Sequence, residues 1–365
     1  MIFSYTVCKP KLNNIVTTAT MLLLSVRKPL LVALALTPAP LLGPNLLGQG
    51  CVQSRGVACA MVMEGDSYVQ PNEWEATVGY RWLHSDRHFI GGIEQKQRQA
   101  NGSEVVNDSH FFDLTATYGV TKRLSLNLTV PFVFSDRSSL YEHDGTNRHS
   151  MTASGLADVR LTGTFWLFDP EKSHNGNLAF GLGGKAPTGD YEATAISYRA
   201  TGPTLRYVDQ SIQPGDGGWG VVVETQGYQR LFANAFGYMN ASYLINPKEL
   251  NPSTGYSVPD TYLFRAGLSY LVWPSKGLSL SLGGRMEGVP VEDLIGGSAG
   301  SRRPGYAISI EPGISYTHKR VSVTVTTPVA LERNREKSVS DLATGRHGDA
   351  AFADYILVAS VSYRF

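Results

Sequence analysis

The feature that most limits what this chain can fold into is a period-two alternation of apolar and small polar residues, sustained over unusually long segments. In Leu124-Ser-Leu-Asn-Leu-Thr-Val-Pro-Phe132 every even position is apolar, and the odd positions are mostly small and polar. Val321-Ser-Val-Thr-Val-Thr326 and Leu278-Ser-Leu-Ser-Leu-Gly283 repeat the pattern. Such alternation is the signature of a strand with two unlike faces. From Trp74 onward there is no helix-period segment of ten or more residues, and twelve strand segments are expected: 74–84, 110–119, 123–134, 155–168, 177–187, 219–229, 232–245, 260–272, 277–287, 305–317, 320–330 and 353–365. Most soluble strands have about 5 to 6 residues, whereas a tilted strand needs about 9 to 11 to cross hydrocarbon. The length therefore favours a membrane wall over a sandwich.

The connections support this reading. Short ones are expected at Val120–Lys122, Asp169–Gly176, Arg230–Leu231, Pro274–Lys276 and His318–Lys319. Long polar loops at 85–109, 135–154, 188–218, 246–259, 288–304 and 331–352 alternate with them. Short turns on one side and long loops on the other characterise outer-membrane barrels. The expected fold is all-β, a transmembrane antiparallel up-and-down β-barrel of about 12 strands preceded by a signal peptide. Aromatic residues near segment ends, namely Trp74, Trp82, Phe132, Phe134, Phe165, Trp166, Phe168, Tyr262 and Tyr270, suit girdles at the two lipid interfaces.

Residues 1–60 differ in kind from the rest. They hold five basic residues and no acidic one, leaving 27 basic against 31 acidic residues in 61–365. Arg27 and Lys28 precede the apolar run Leu30 to Leu36, and Ala58-Cys-Ala60 offers small residues of the type a signal peptidase reads. Residues 1–60 are expected to be a cleaved lead and 61–365 the barrel. Met21 as initiator would give a signal of ordinary length. Cleavage after Ala60 removes Cys8, Cys51 and Cys59, so the mature chain has no cysteine. Lipidation of Cys51 is the rival reading, suited by Gly50 but not by Gly48. The near balance of 32 basic and 31 acidic residues argues against nucleic acid as a partner.

If the apolar positions face lipid, their neighbours face the lumen. These include Glu75, Arg81, Asp113, Asp158, Arg160, Lys185, Glu224, Arg265, Arg285, Glu287, Glu311 and Arg364, six acidic and six basic. A single-sign ring would select ions; a mixed set suggests wall-bracing ion pairs or a transverse field in a narrow pore. Among the loops, His84-Ser-Asp-Arg-His88 holds metal-ligand types without a repeated ligand spacing, and no metal or cofactor is expected. Lys185-Ala-Pro-Thr-Gly-Asp190 is turn chemistry, and Asp209 to Trp219 suits a packed constriction loop better than a chelating one. Reading back from Phe365, Tyr363, Val361, Ala359, Leu357 and Tyr355 alternate with polar residues, so Tyr363 and Phe365 close a strand of the type read by the bacterial barrel-assembly machinery.

Tyr118-Gly-Val-Thr-Lys-Arg-Leu-Ser-Leu126, Gly155-Leu-Ala-Asp-Val-Arg160 and Leu178-Ala-Phe-Gly-Leu-Gly-Gly-Lys-Ala-Pro-Thr-Gly-Asp190 resemble the outer-membrane barrels grouped under the phenol meta-pathway of degradation. The resemblance spans nearly the whole mature chain, with Ala157 in place of a glycine. It implies a bacterial outer-membrane location and a transporter of small solutes, aromatic or hydrophobic compounds among them, and it carries over no catalytic residue. The partners expected are outer-membrane lipid, the barrel-assembly machinery and a small-molecule solute. Two other readings remain: a structural or surface-interaction barrel with a plugged lumen, and an outer-membrane lipid hydrolase. The hydrolase is disfavoured, because none of the eight histidines has a serine two positions on.

Overall fold

The computed structural model describes residues 68–365. The export segment read in residues 1–60 lies outside the described residues. The wall has twelve strand positions. In chain order they are β1 (Trp74–Ile90), β2 (Val106–Gly119), β3 (Leu124–Ser139), β4 (His149–Leu156, resumed at Arg160–Trp166), β5 (Gly176–Lys185) and β6 (Gly220–Phe232). The other half comprises β7 (Ala235–Ile245), β8 (Thr261–Trp273), β9 (Leu278–Val289), β10 (Gly305–His318), β11 (Val321–Thr326, resumed at Val329–Arg335) and β12 (Ala350–Arg364). Each strand pairs antiparallel with the next, and β12 returns to β1 with Glu75 opposite Arg364 and Thr77 opposite Ser362. The sheet is closed, so it leaves no edge to aggregate.

Alternation decides which way each side chain points. Val78, Leu114, Leu128, Leu161, Leu182, Leu268, Leu282 and Val361 are exposed on the outside of the wall, where lipid takes the place of a protein core. Thr77, Thr115 and Thr129, in register across β1, β2 and β3, point inward, and the last two share a hydrogen bond of 3.0 Å. Aromatic contacts gather at two levels outside. Trp74 and Tyr118 (4.8 Å between centroids) and Tyr363 and Phe365 (6.2 Å) lie at the short-turn end, while Trp82 and Tyr355 (5.8 Å) and Tyr243 and Tyr262 (6.5 Å) lie near the long-loop end. Trp74 and Trp82 are eight residues apart on one strand, which at ~3.4 Å per residue and a tilt of ~40° spans about 20 Å of membrane normal.

Several expectations need correction. The strands run on past the upper girdle, β1 to Ile90, β3 to Ser139 and β11 to Arg335, through stretches read as loop. Above the lipid both faces are wet or packed on loops, so the alternation fades while backbone pairing continues. The segments 155–168 and 320–330 are each broken. Pro131 of β3 has no N–H to offer its neighbour, and β4 places three residues, Ala157 to Val159, against Val130 and Pro131. Ala157 N–H still donates to the Pro131 carbonyl at 2.8 Å. Around Pro312 of β10 the same happens to β11, which breaks at Thr327 and Pro328. The turn expected at Arg230–Leu231 falls at Ala233 and Asn234, because β6 continues to Phe232. Trp166 is no girdle residue. It points inward and is buried against Ala179, Tyr228 and Phe236.

The long loops are structured. A hairpin, Thr194–Arg199 with Gly202–Tyr207, rises between β5 and β6. Two short helices, α1 (Gln97–Ala100) and α2 (Val339–Thr344), decorate the same end. The second is fixed by a capping box in which the Ser338 hydroxyl accepts from Asp341 N–H and the Asp341 carboxylate accepts from Ser338 N–H.

Candidate conduit and its constrictions

The lumen begins with what the inward parity delivers. Along β3 the odd positions from Ser125 to Arg137 face in, so one strand contributes hydroxyl and amide groups low down, Pro131 and Val133 midway, and a guanidinium at the top. The same rule on the other strands builds two cavities, one above the other. The upper, of about 150 Å3, presents the apolar side chains of Phe111, Pro131, Val133, Leu244 and Val289 alongside charged groups that include Asp113, Asp158, Lys185 and Arg303. The lower, of about 200 Å3, is faced by Thr77, Thr115, Thr117, Asn127, Thr162 and Thr164. Arg160 borders both.

Above the upper cavity the loop after the hairpin crosses inward as a strap, with Gln210, Ser211, Gln213, Pro214, Gly215 and Asp216 on the cavity wall. Ion pairs hold each end. At one end, the buried Asp209 carboxylate accepts from Arg303 at 2.8 Å and from the Ser211 N–H at 2.9 Å, with Arg137 at 3.6 Å. Burial alone would raise the Asp209 pKa, but Arg137 and then Arg303 outweigh it and hold the carboxyl well below the usual range. Arg137 also forks onto Glu142 and donates to Asn107 at 3.0 Å. At the other end, Asp216 and Asp158 share Lys185, at 2.5 and 3.1 Å. Where the strap passes the β5 exit, Gly189 and Gly215 lie backbone to backbone, and a Cβ on either would collide with the other.

The short-turn end has a different closure. Tyr68 packs on the cluster of Trp166, Ala179, Tyr228 and Phe236 together with Leu271. The Tyr228 hydroxyl donates to the Ser173 carbonyl at 3.0 Å. Val69 is buried, and the Gln70 backbone presses so closely on Gly119 that no side chain would fit there.

The charged residues expected in the lumen are placed as follows. Glu75 and Arg364 pair at 3.0 Å across the seam that closes the barrel. Arg285 forks onto Glu287, two residues along β9, at 3.2 and 3.0 Å, and Arg265 approaches Glu311 at 3.5 Å across the wall. Arg81 is half-buried on the inward face within the field of Asp113, Glu287, Arg285 and Arg160. Asp113 borders the upper cavity and Glu224 the lower. Asp158 departs from the expectation of a strand residue. It sits in the break of β4 and accepts from Gly189 N–H at 3.0 Å as well as from Lys185. Asp209, Asp216, Arg137 and Arg303 were not among the expected lumen residues. Arg137 continues the odd parity of β3 beyond the apolar run, and Asp209 and Asp216 belong to the segment read as a packed constriction loop; Arg303 is a loop residue with no period to follow.

His84 and His88 do not converge. His84 pairs with Asp108 at 3.1 Å on the outward face, whereas His88 is buried and meets Asp349 at 3.1 Å and the Val105 backbone. Among the described residues no group of three side chains is arranged to hold a metal ion.

Residues 96–337, about two thirds of the chain, match the protein family described as "Putative MetA-pathway of phenol degradation". The chain belongs to that family. No curated protein matches the sequence. Among solved structures, the COG4313 outer membrane channel from Pseudomonas putida F1 superposes with a TM-score of 0.54 at 15% identity, covering 83% of this chain and 100% of that one. The P. putida toluene transporter TodX (TM-score 0.38, 11% identity, 87% and 98% covered) and the Ralstonia pickettii toluene transporter TbuX (0.40, 13%, 88% and 99%) align less well. The fold is that of an outer-membrane β-barrel, with its apolar belt in the membrane and its long loops at one end.

Proposed function

We propose that this barrel is a passive, selective conduit for small hydrophobic or aromatic solutes across the outer membrane, and that it performs no chemistry. The observation that carries the reading is the pair of stacked cavities inside a closed wall, an apolar one of about 150 Å3 over a hydroxyl-lined one of about 200 Å3. An apolar solute leaves water in the first and is passed to a wetter environment in the second. The direction of that gradient suits release towards the short-turn side. Lining by Glu75, Arg81, Asp113, Asp158, Arg160, Lys185, Glu224, Arg265, Arg285, Glu287 and Glu311 supports a pore wall braced by ion pairs of both signs. Outer-membrane lipid on the apolar belt, and assembly through Tyr363 and Phe365 at the β12 seam, belong to the same proposal. Phe365 N–H donates to the Trp74 carbonyl at 2.9 Å, so the terminal residue takes part in closure.

Reconstituted protein should accelerate liposome swelling in small neutral solutes; rates equal to protein-free vesicles reject the conduit. A plugged, structural barrel is favoured by one observation, the strap tied at both ends. In that case wild-type swelling would stay at the blank rate and removing Ser211 to Gly215 would raise it.

A further inference from the structure

Arg160 differs from the other basic side chains of the lumen. Lys185 has Asp158 and Asp216, Arg265 has Glu311, Arg285 has Glu287, Arg364 has Glu75 and Arg303 has Asp209. Arg160 makes no salt bridge and no side-chain hydrogen bond with any described residue. It opens the lower half of β4, directly after the break opposite Pro131, and its inward position lies between Thr129 and Lys185. The nearby carboxylates do not neutralise it by contact. Asp113 acts on Arg81, and Glu224 lies within the field of Arg160 in the lower cavity but makes no ion pair with it. The result is a guanidinium with free donors at the junction of the two cavities.

The space above it is specific in size. A cavity of about 150 Å3 lined by apolar side chains is of the volume that, engineered into another protein, stays dry and binds benzene. The upper cavity has that volume and offers Phe111, Pro131, Val133, Leu244 and Val289, with Arg160 at its lower border; the other charged groups on its wall include Lys185, paired with Asp158 and Asp216, and Arg303, paired with Asp209. A neutral ring seated there would displace water from the guanidinium and return nothing, which is costly. A ring bearing a carboxylate would occupy the cavity and satisfy the fork with two parallel charge-assisted hydrogen bonds. An inorganic anion or acetate would gain the charge but not the apolar contact, against the opposing fields of Asp113 and Glu224.

We infer that Arg160 is the head-group anchor of the conduit and that the solute class it selects is the single-ring aromatic carboxylate. The inference rests on the conduit reading and deepens it. Equilibrium dialysis of the detergent-purified barrel against benzoate, benzyl alcohol and acetate tests it. Wild-type protein should bind benzoate more tightly than the other two. Arg160→Gln should weaken benzoate by about tenfold or more, as expected for charge-assisted hydrogen bonds, and leave benzyl alcohol within about twofold; Arg160→Lys should retain part of the benzoate affinity. Unchanged benzoate binding in Arg160→Gln, an equal loss for benzyl alcohol, or equal wild-type binding of acetate and benzoate would overturn the assignment. Should Arg160→Gln fail to assemble, occlusion of the wild-type ionic current by benzoate but not by acetate supports the anchor, and the reverse rejects it. A protein that conducts but does not bind benzoate loses only the anchor. A protein that never conducts loses the conduit itself.

Discussion

The membrane half and the extracellular half of this barrel are the same twelve strands, yet different physics stabilises them. In the membrane half the apolar belt faces lipid, and the inward face carries small hydroxyls around open space on β1 to β4 and the buried pairs Arg265 with Glu311 and Arg285 with Glu287 on β8 to β10. In the extracellular half the strands continue past the lipid, and buried ion pairs join strand ends to loops and loop to loop, Arg137 with Glu142 and Asp209, Arg335 with Asp341 and Arg302 with Asp293, beside a hydrogen bond between His88 and Asp349. The lower wall tolerates emptiness because lipid outside and backbone hydrogen bonds within it suffice. The upper wall, standing in water, has to make a core of its own, and it does so with charges together with apolar clusters, Met151, Ala153, Ala193, Val208 and Ile212 in one and Phe89, Ala307, Ala350 and Phe352 in another.

Breaking a buried pair is the strongest way to test that contrast. Arg137→Ala leaves Glu142 without its cation and Asp209 with Arg303 alone, and removing one partner of a buried pair typically costs about 3–5 kcal/mol. The strap should become susceptible to limited proteolysis between Asp209 and Asp216, while the heat-dependent electrophoretic shift of the closed barrel persists. Loss of that shift as well would mean that the two halves are one cooperative unit. Acid should act at the same place. The Asp209 carboxyl is held below its ordinary pKa, so its stabilising contribution is complete above the unfolded carboxylate value of about 3.9 and is lost as pH falls through the depressed folded value. Strap proteolysis should be flat from neutral pH down to about 5 and rise only under stronger acid; a rise near neutrality would assign the latch to another group.

Within the membrane half, Gly283→Ala should be costly for the opposite reason. A Cβ there would meet the Tyr238 hydroxyl and, at 2.7 Å, the Ala266 carbonyl. Overpacking of this kind costs about 1–3 kcal/mol and should lower the temperature of the electrophoretic transition without exposing the strap. The smallest effect belongs to Lys122 and Glu171, paired at 2.6 Å on the exposed short-turn rim. Lys122→Ala should leave both readouts unchanged, since exposed pairs contribute little.

How much of this is legible in the sequence follows the same division. In the membrane half each strand answers to one rule, so the alternation from Leu124 to Phe132 locates β3, its lipid face and its inward threonines at once. On that rule Glu75 stands opposite Arg364 at the seam, and Arg160 lies between Thr129 and Lys185. The rule fails where proline intervenes, as at Pro131, because a missing donor in one strand is felt in its neighbour and leaves no mark on that neighbour's own pattern. It also fails at Trp166, whose even parity in β4 points inward because the break at Ala157 to Val159 resets the register. Above the lipid it ends altogether. The meeting of Asp209 with Arg303 joins residues 94 apart in the chain, a contact set by loop packing with no local period.

The central claim is that a continuous lumen lies behind the strap. Single-channel recording in planar bilayers tests it most directly, comparing the wild type with a variant shortened across Ser211 to Gly215. The account predicts discrete wild-type openings and a larger unitary conductance in the shortened variant. Silent bilayers with both proteins, each first shown to be inserted, would contradict it.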